Sequence, residues 1–387
     1  MGDKPAVFYF YTMNYLKKTF FAILTIFVIV ACSGDSDENI DQVPQFERST
    51  ILENYANNII IPRHNDFKSE QDNLKIAVDN FTQTPNTTNF DQVHDKWLSA
   101  YKKWQHIEMF NIGKAEEIYY LNTINTYPVD EDRIKENITS KRYDLSNTND
   151  WSCQGLSGID YMLHGIGNTK EEVIQKYIND PKYADYLKNL LVIMNRNTND
   201  VVESWASDKS SFIQSSGNSN SSSLNMLTND FIYYFEKGLR SIKIGTPAGY
   251  WSAGRKLPHT IEAYYSSKNG FEDVSKVLAK EALTASENLF LGKSSSGSVS
   301  ASLKTYLDYL HSSKVSDNNL SPIIVANFKN AHNSIDQLNS NFIDQIETDN
   351  EKMLNAFDNL QTLVRNFKTD MLSVLSIQVD YLDADGD

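Results

Sequence analysis

Ser157, Asp160 and His164 carry a hydroxyl, a carboxylate and an imidazole at spacings of three and four residues, so a helix through this stretch stacks all three on one face. Such a face can grip a ligand or knit its own groups together. Asp160 and His164 alone have the separation with which one helix chelates a metal ion, but two ligands do not complete a site. A single histidine there also reads as a capping residue at a helix end. Glycines bound the segment at Gly155 and Gly165, and Ile159, Met162 and Leu163 line its other side, the pattern of a helix entering a packed core.

Other chemistry-bearing residues are sparser. His259 and Glu262 lie three apart after Pro258, where the positive end of a helix dipole favours an acid whatever its role. The run Gly245-Thr246-Pro247-Ala248-Gly249 suits a rigid turn or the frame of a cleft. Cys153 reads as a small core residue rather than a reactive thiol. The closing acids Asp380, Asp383, Asp385 and Asp387 have the alternation that opens a calcium loop, without its closing Glu. There is no His-Glu-x-x-His and no Gly-x-Ser-x-Gly, so neither a zinc peptidase nor a serine hydrolase is written in the sequence.

Helices must position these groups. Val93, Trp97, Tyr101, Trp104 and Glu108 recur at helical spacing and put three aromatics and an acid on one inward face. Helical patterns also cover 50–81, 170–190 and 187–205, and resume over 224–244, 262–289, 323–346 and 351–375. Tyr127-Pro128 breaks the pattern, because the residue before proline is pushed out of helix. Between the two sets, 207–223 is rich in Ser, Asn and Gly and predicts a linker. An all-α chain follows, with a first helical bundle at 46–206 and a second at 224–387. Each half has an early long helix, a Gly/Pro break and a following helix, as a diverged duplication would leave.

Composition narrows the function. The chain of 387 residues is 40% hydrophobic, enough for a sizeable core, and carries a net charge of −14, which excludes nucleic acid as a partner. Lys17 and Lys18 precede an apolar run from Phe20 that ends in Ile29-Val30-Ala31-Cys32. This predicts a signal peptide over 1–31, with Met13 as an alternative start, and a lipid on Cys32 that anchors the chain to a membrane. Residues 32–45 then form a small, acidic tether. Only two cysteines occur, so lipidation of Cys32 leaves no disulfide.

The segment from Gly155 resembles the Gly-x-His-x-x-Glu signature of the imelysin family of bacterial extracytoplasmic proteins, with Ser157 at the His position and Asp160 at the Glu position. Three further stretches are similar to that family in its order: 97–108 (WLSAYKKWQHIE), 125–130 (NTYPVD), and 243–247 (KIGTP) with 261–266 (IEAYYS). The resemblance spans nearly everything after the export signal. It implies a cell-envelope lipoprotein of the outer membrane, periplasmic or surface-facing, that is non-catalytic and linked to iron or haem acquisition. The acidic tether resembles the surface-export signals of some bacterial lipoproteins.

The same resemblance brings Glu108 forward as a third candidate ligand beside Asp160 and His164, and its aromatic stripe turns that acid inward. A buried carboxylate must be paired or metal-bound. Glu108, Asp160 and His164 are therefore the expected ligands for iron or another divalent metal, and Gly155, Ser157 and Glu262 the remaining contributors to a ligand-binding cleft. A purely structural network is the alternative, with Arg133, Arg142, Lys103 or a backbone N–H pairing the acids. Two further alternatives stand: a surface protein using some of its 21 tyrosines to recognise a protein or glycan, and a metallopeptidase-like enzyme, since the founding imelysin was described as a peptidase.

Overall fold

Apolar stripes at helical spacing account for most of the chain. The computed structural model describes residues 46–379, so the signal segment, Cys32, the tether and the acids from Asp380 onward lie outside the described residues. Among the described residues every regular element is helical, apart from an isolated antiparallel bridge between Lys293 and Val299. None of the described helices is long and apolar enough to cross a membrane.

Arg48–Asn54, Tyr55–Ile60 and Ile61–Gln83 run on as one helix whose middle section opens into π-type turns. Its stripe of Ile51, Ile59, Phe67, Leu74, Val78 and Phe81 is buried against Thr87–Trp104 and Pro181–Gln214. Asn86 starts the second of these by accepting from Asn89 N at 2.9 Å, and Asp180 starts the third by accepting from Lys182 N at 3.0 Å, each satisfying an otherwise orphaned N–H. In the second set, Leu320–Asp336 packs on Asn350–Arg365, which packs in turn on the π-type run Tyr234–Gly245. The sets meet where Ser275–Leu291 touches Thr87–Trp104 and where Tyr264–Lys268 covers Tyr161–Gly165. All the described residues fall in one compact unit.

Several boundaries differ from the sequence expectation. The stretch 207–223 is not all linker: the Pro181–Gln214 helix continues through its first eight residues, because Phe212 reaches Trp205 edge-on with ring centroids 5.4 Å apart and gives the polar run an apolar anchor. The patterns over 170–190 and 187–205 divide at Asp180, between Lys170–Asn179 and the long helix that Pro181 opens. The pattern over 262–289 is two helices, Tyr264–Lys268 and Ser275–Leu291, separated by a turn through Gly270 at φ +70°. The pattern over 323–346 likewise ends at Asp336 and restarts at Phe342. Glu108 and Glu262 both lie outside helices: the aromatic helix stops at Trp104, and Glu262 precedes Tyr264–Lys268. Cys153 is buried and free, and burial pushes its thiol to about 11, as befits a core residue.

Candidate functional site

Two polar clusters stand out in the buried part of the molecule. The first gathers Glu108 from the turn after the aromatic helix, Glu262 from the second half, and Lys243 from the π-type run. Lys243 Nζ lies 2.8 Å from Glu262 Oε1 and 3.0 Å from Glu108 Oε2, so one ammonium bridges two carboxylates. Tyr101 donates to Asn125 Oδ1 at 2.6 Å. Thus oriented, the Asn125 amide donates to Glu262 Oε1 at 2.7 Å and Glu108 Oε1 at 3.2 Å. Gln105 adds a donor to Glu262 at 3.0 Å, and Tyr234 one to Glu108 at 3.1 Å.

Burial opposes the charge on Lys243, but Glu108 and Glu262 outweigh it and hold the ammonium above its ordinary range. Glu262 moves the other way for a carboxylate. Burial raises its pKa, Lys243 pulls it back and Glu108 pushes it up again, leaving it raised. With both acids ionised the cluster carries one more negative charge than positive. The phenols of Tyr101, Tyr127 and Tyr234, desolvated and facing these acids, are held far above their usual range and stay protonated.

The second cluster centres on Asp160. Its Oδ2 accepts from Tyr265 N at 2.9 Å and its Oδ1 from Ser266 N at 3.1 Å, so it caps the Tyr264–Lys268 helix from a distant part of the chain. Oδ1 also accepts from His164 Nδ1 at 2.7 Å. His164 Nε2 then meets His94 Nδ1 at 2.9 Å, and His94 Nε2 meets Glu272 Oε2 at 2.8 Å. Three consecutive hydrogen bonds between two carboxylates need three protons, and two neutral imidazoles supply two. One additional proton must therefore be shared along the chain. Burial lowers the pKa of His164 against the pull of Asp160, which disfavours a charged imidazole at that position.

A cleft of about 230 Å³ opens at Asp160. Ser157 and Asp160 are on its lining, the Tyr127-Pro128 segment and Glu131 form one side, and His259, Tyr264, Tyr265 and Lys268 form the other. The Tyr127-Pro128 peptide is cis. Ser157 Oγ donates to Thr126 O at 2.6 Å, tying the motif helix to the segment that forms this wall. Gly155 has φ +69°, and a Cβ there would lie 2.1 Å from Ile124 O, so only glycine lets the helix start so close to the neighbouring backbone.

A family model described as imelysin (Peptidase M75) matches residues 60–367. This chain belongs to the imelysin family. It is 21% identical over 272 residues to iron-regulated protein A of Synechococcus elongatus, covering 67% of this chain and 69% of that one. Its fold matches an imelysin-like protein from Psychrobacter arcticum at TM-score 0.65 and 18% identity, over 87% of this chain and 97% of the other. A protein described as an iron-regulated protein A precursor, from Parabacteroides distasonis, matches at TM-score 0.62 and 16% identity, over 83% and 95% of the two chains.

Within this imelysin fold the expected metal ligands do not converge. Among the described residues no three His, Cys, Asp or Glu side chains form a group able to hold a metal ion. Glu108 faces Lys243, Asp160 has its oxygens turned to two backbone N–H groups and an imidazole, and both His164 nitrogens are engaged. An ammonium occupies the place between the carboxylates, and Ser157, where the imelysin pattern has histidine, offers a hydroxyl that binds transition metals poorly. The donor set does not fit a bare metal ion.

The acids nonetheless join one polar region, since Tyr101 feels Glu262, Asp160 and Glu108 together. Of the expected pairing partners, backbone N–H groups do serve Asp160, whereas Arg133 pairs with Asp150 and Lys103 with Asp66, and Arg142 is exposed. Lys243 and Asn125 hold Glu108 and Glu262, and His164, backed by His94, holds Asp160. Lys243 was readable as a cation among Leu239, Ile244 and Gly245 on an inward stripe, and His94 as the polar neighbour of Val93, but no local pattern names their partners.

Proposed function

We propose that this protein is a non-catalytic binding protein of the cell envelope, linked to iron or haem acquisition, which takes an iron-bearing ligand at the cleft over Ser157 and Asp160. The iron link is supported by the family and by the name of the Synechococcus relative, iron-regulated protein A. The observation that carries the reading is that Ser157 and Asp160 on the cleft lining are committed to backbone groups and an imidazole, whereas Tyr127, His259, Tyr264 and Lys268 line it and can meet a ligand through ring faces and donors. An iron chelate or haem suits such walls, and a bare ion does not. Turnover is disfavoured because Ser157 Oγ donates to a carbonyl, not to a base. The lipid-anchor reading of Cys32 adds the envelope location, tested by loss of radiolabelled palmitate incorporation in Cys32→Ser.

Titrating purified protein with haem, ferric citrate, and ferric, ferrous, zinc and calcium salts tests the binding claim. Saturable binding of haem or ferric citrate, weakened in both Tyr264→Ala and Asp160→Ala, is expected. No saturable binding, or binding indifferent to both substitutions, overturns it. One observation favours the interaction-protein alternative: Tyr250 and Trp251 form a ring pair with 46% and 48% of their surfaces exposed. That alternative predicts no thermal stabilisation by any iron compound.

A further inference from the structure

A second depression, of about 390 Å³, lies between the first helix pair and the loop that follows Ser275–Leu291. Arg63, Lys103 and Lys293 contribute three cations to its lining against one acid, Asp66, in a chain whose net charge is −14. Lys103 and Asp66 satisfy each other at 3.2 Å. The other two cations make no ion pair among the described residues, although Asp66 and Glu281 lie near enough to favour the Arg63 charge.

Arg63 is 4% exposed, yet among the described residues no carboxylate lies within ion-pair distance of it. One terminal nitrogen donates to His106 Nδ1 and the other to Lys293 O at 3.3 Å, while Nε has no partner. His106, accepting from Arg63, donates its other nitrogen to Glu281 at 2.9 Å, so it is a neutral spacer and not a counter-charge. A buried guanidinium without a contacting anion is costly. Lys293 likewise has no ion-pair partner among the described residues, and its exposed side chain stands at the mouth of the depression beside the hydroxyls of Ser294, Ser295 and Ser296.

We propose that this depression is an oxyanion site, where a phosphate or carboxylate group of a small ligand sits between Arg63 and Lys293 and accepts from the serine rim. Guanidinium and ammonium donors reward such a group with charge-assisted hydrogen bonds. The site is separate in its residues from the cleft over Asp160 and stands whether or not iron compounds bind there.

Calorimetric titration of the folded protein with inorganic phosphate, and separately with succinate, at constant ionic strength set by chloride, tests it. Saturable binding is expected for at least one, weakened about tenfold or more in Lys293→Glu, a surface change that leaves the core intact, and also in Arg63→Gln where that variant folds. Phosphate alone identifies a phosphoryl ligand, and succinate alone a carboxylate. Absence of saturable binding of either, or binding unchanged in Lys293→Glu, overturns the proposal.

Discussion

Asp160 and Glu262 are buried carboxylates of the same polar region, and the protein neutralises them by opposite means. Asp160 is held by fixed dipoles and an imidazole: two N–H groups at the start of Tyr264–Lys268 and the ring of His164. Glu262 depends on a full charge, the Lys243 ammonium, which it shares with Glu108. Fixed dipoles make Asp160 a structural joint between the two halves of the chain. A shared counter-charge leaves the Glu108–Glu262 pair with more negative charge than it can comfortably hold, and Glu262 retains a buried oxygen, Oε2, without a partner among the described residues.

Removing the shared charge breaks the comparison most sharply. Lys243→Ala leaves two carboxylates facing each other in a buried site, a loss of about 3–5 kcal/mol, measurable by urea denaturation at neutral pH. The pH dependence gives the mechanism. A carboxylate whose folded pKa is raised takes up its proton more readily folded than unfolded, so its contribution is present at low pH and lost as pH rises from the ordinary carboxylate value through the raised one. Glu262 already behaves in this sense, and without Lys243 the rise is larger. The deficit of Lys243→Ala therefore shrinks as the pH is lowered. In the parent protein the Lys243 contribution, from a raised lysine pKa, persists through neutrality and disappears only as alkali titrates the ammonium. A deficit independent of pH would mean that lost packing, not charge, is the cause.

The imidazole chain provides the weaker contrast. His94→Ala removes two hydrogen bonds at the edge of the core, one to His164 and one to half-exposed Glu272, and should cost about 1–2 kcal/mol. His164 should keep its neutral Nδ1–H tautomer in this variant, because Asp160 still accepts that proton. Nitrogen-15 shifts of the imidazole rings check this directly. A shift of the His164 proton to Nε2 would show that His94, not Asp160, sets its tautomer.

The sequence made the local half of this arrangement legible and concealed the rest. The four-residue step from Asp160 to His164 survives as a 2.7 Å hydrogen bond because it depends only on helix geometry. Gly155 and the all-α fold were readable for the same reason, from a repeated motif and a repeated period. The metal expectation did not include what stands opposite Glu108, because that group, Lys243, comes from the other half of the chain. The helical placement of Glu108 failed locally: the aromatic stripe continues in register to residue 108, but the chain departs into turns after Trp104, with Glu108 N still bonded to Trp104 O at 3.0 Å.

Ser157 sharpens the comparison at its smallest scale, because it touches neither a charge nor an imidazole. Its hydroxyl donates to Thr126 O, one residue before the Tyr127 wall. Ser157→Ala removes that neutral bond and a long one of 3.5 Å to Gln154 O, at a cost of about 1 kcal/mol or less, since Thr126 is only half-buried and its carbonyl can turn to water in the cleft. If the bond serves to hold the wall, ligand binding should weaken by about two- to fivefold while denaturation shows little change. Equal losses in both measurements would instead make Ser157 a packing residue, leaving the Tyr127 wall to be positioned by its own backbone.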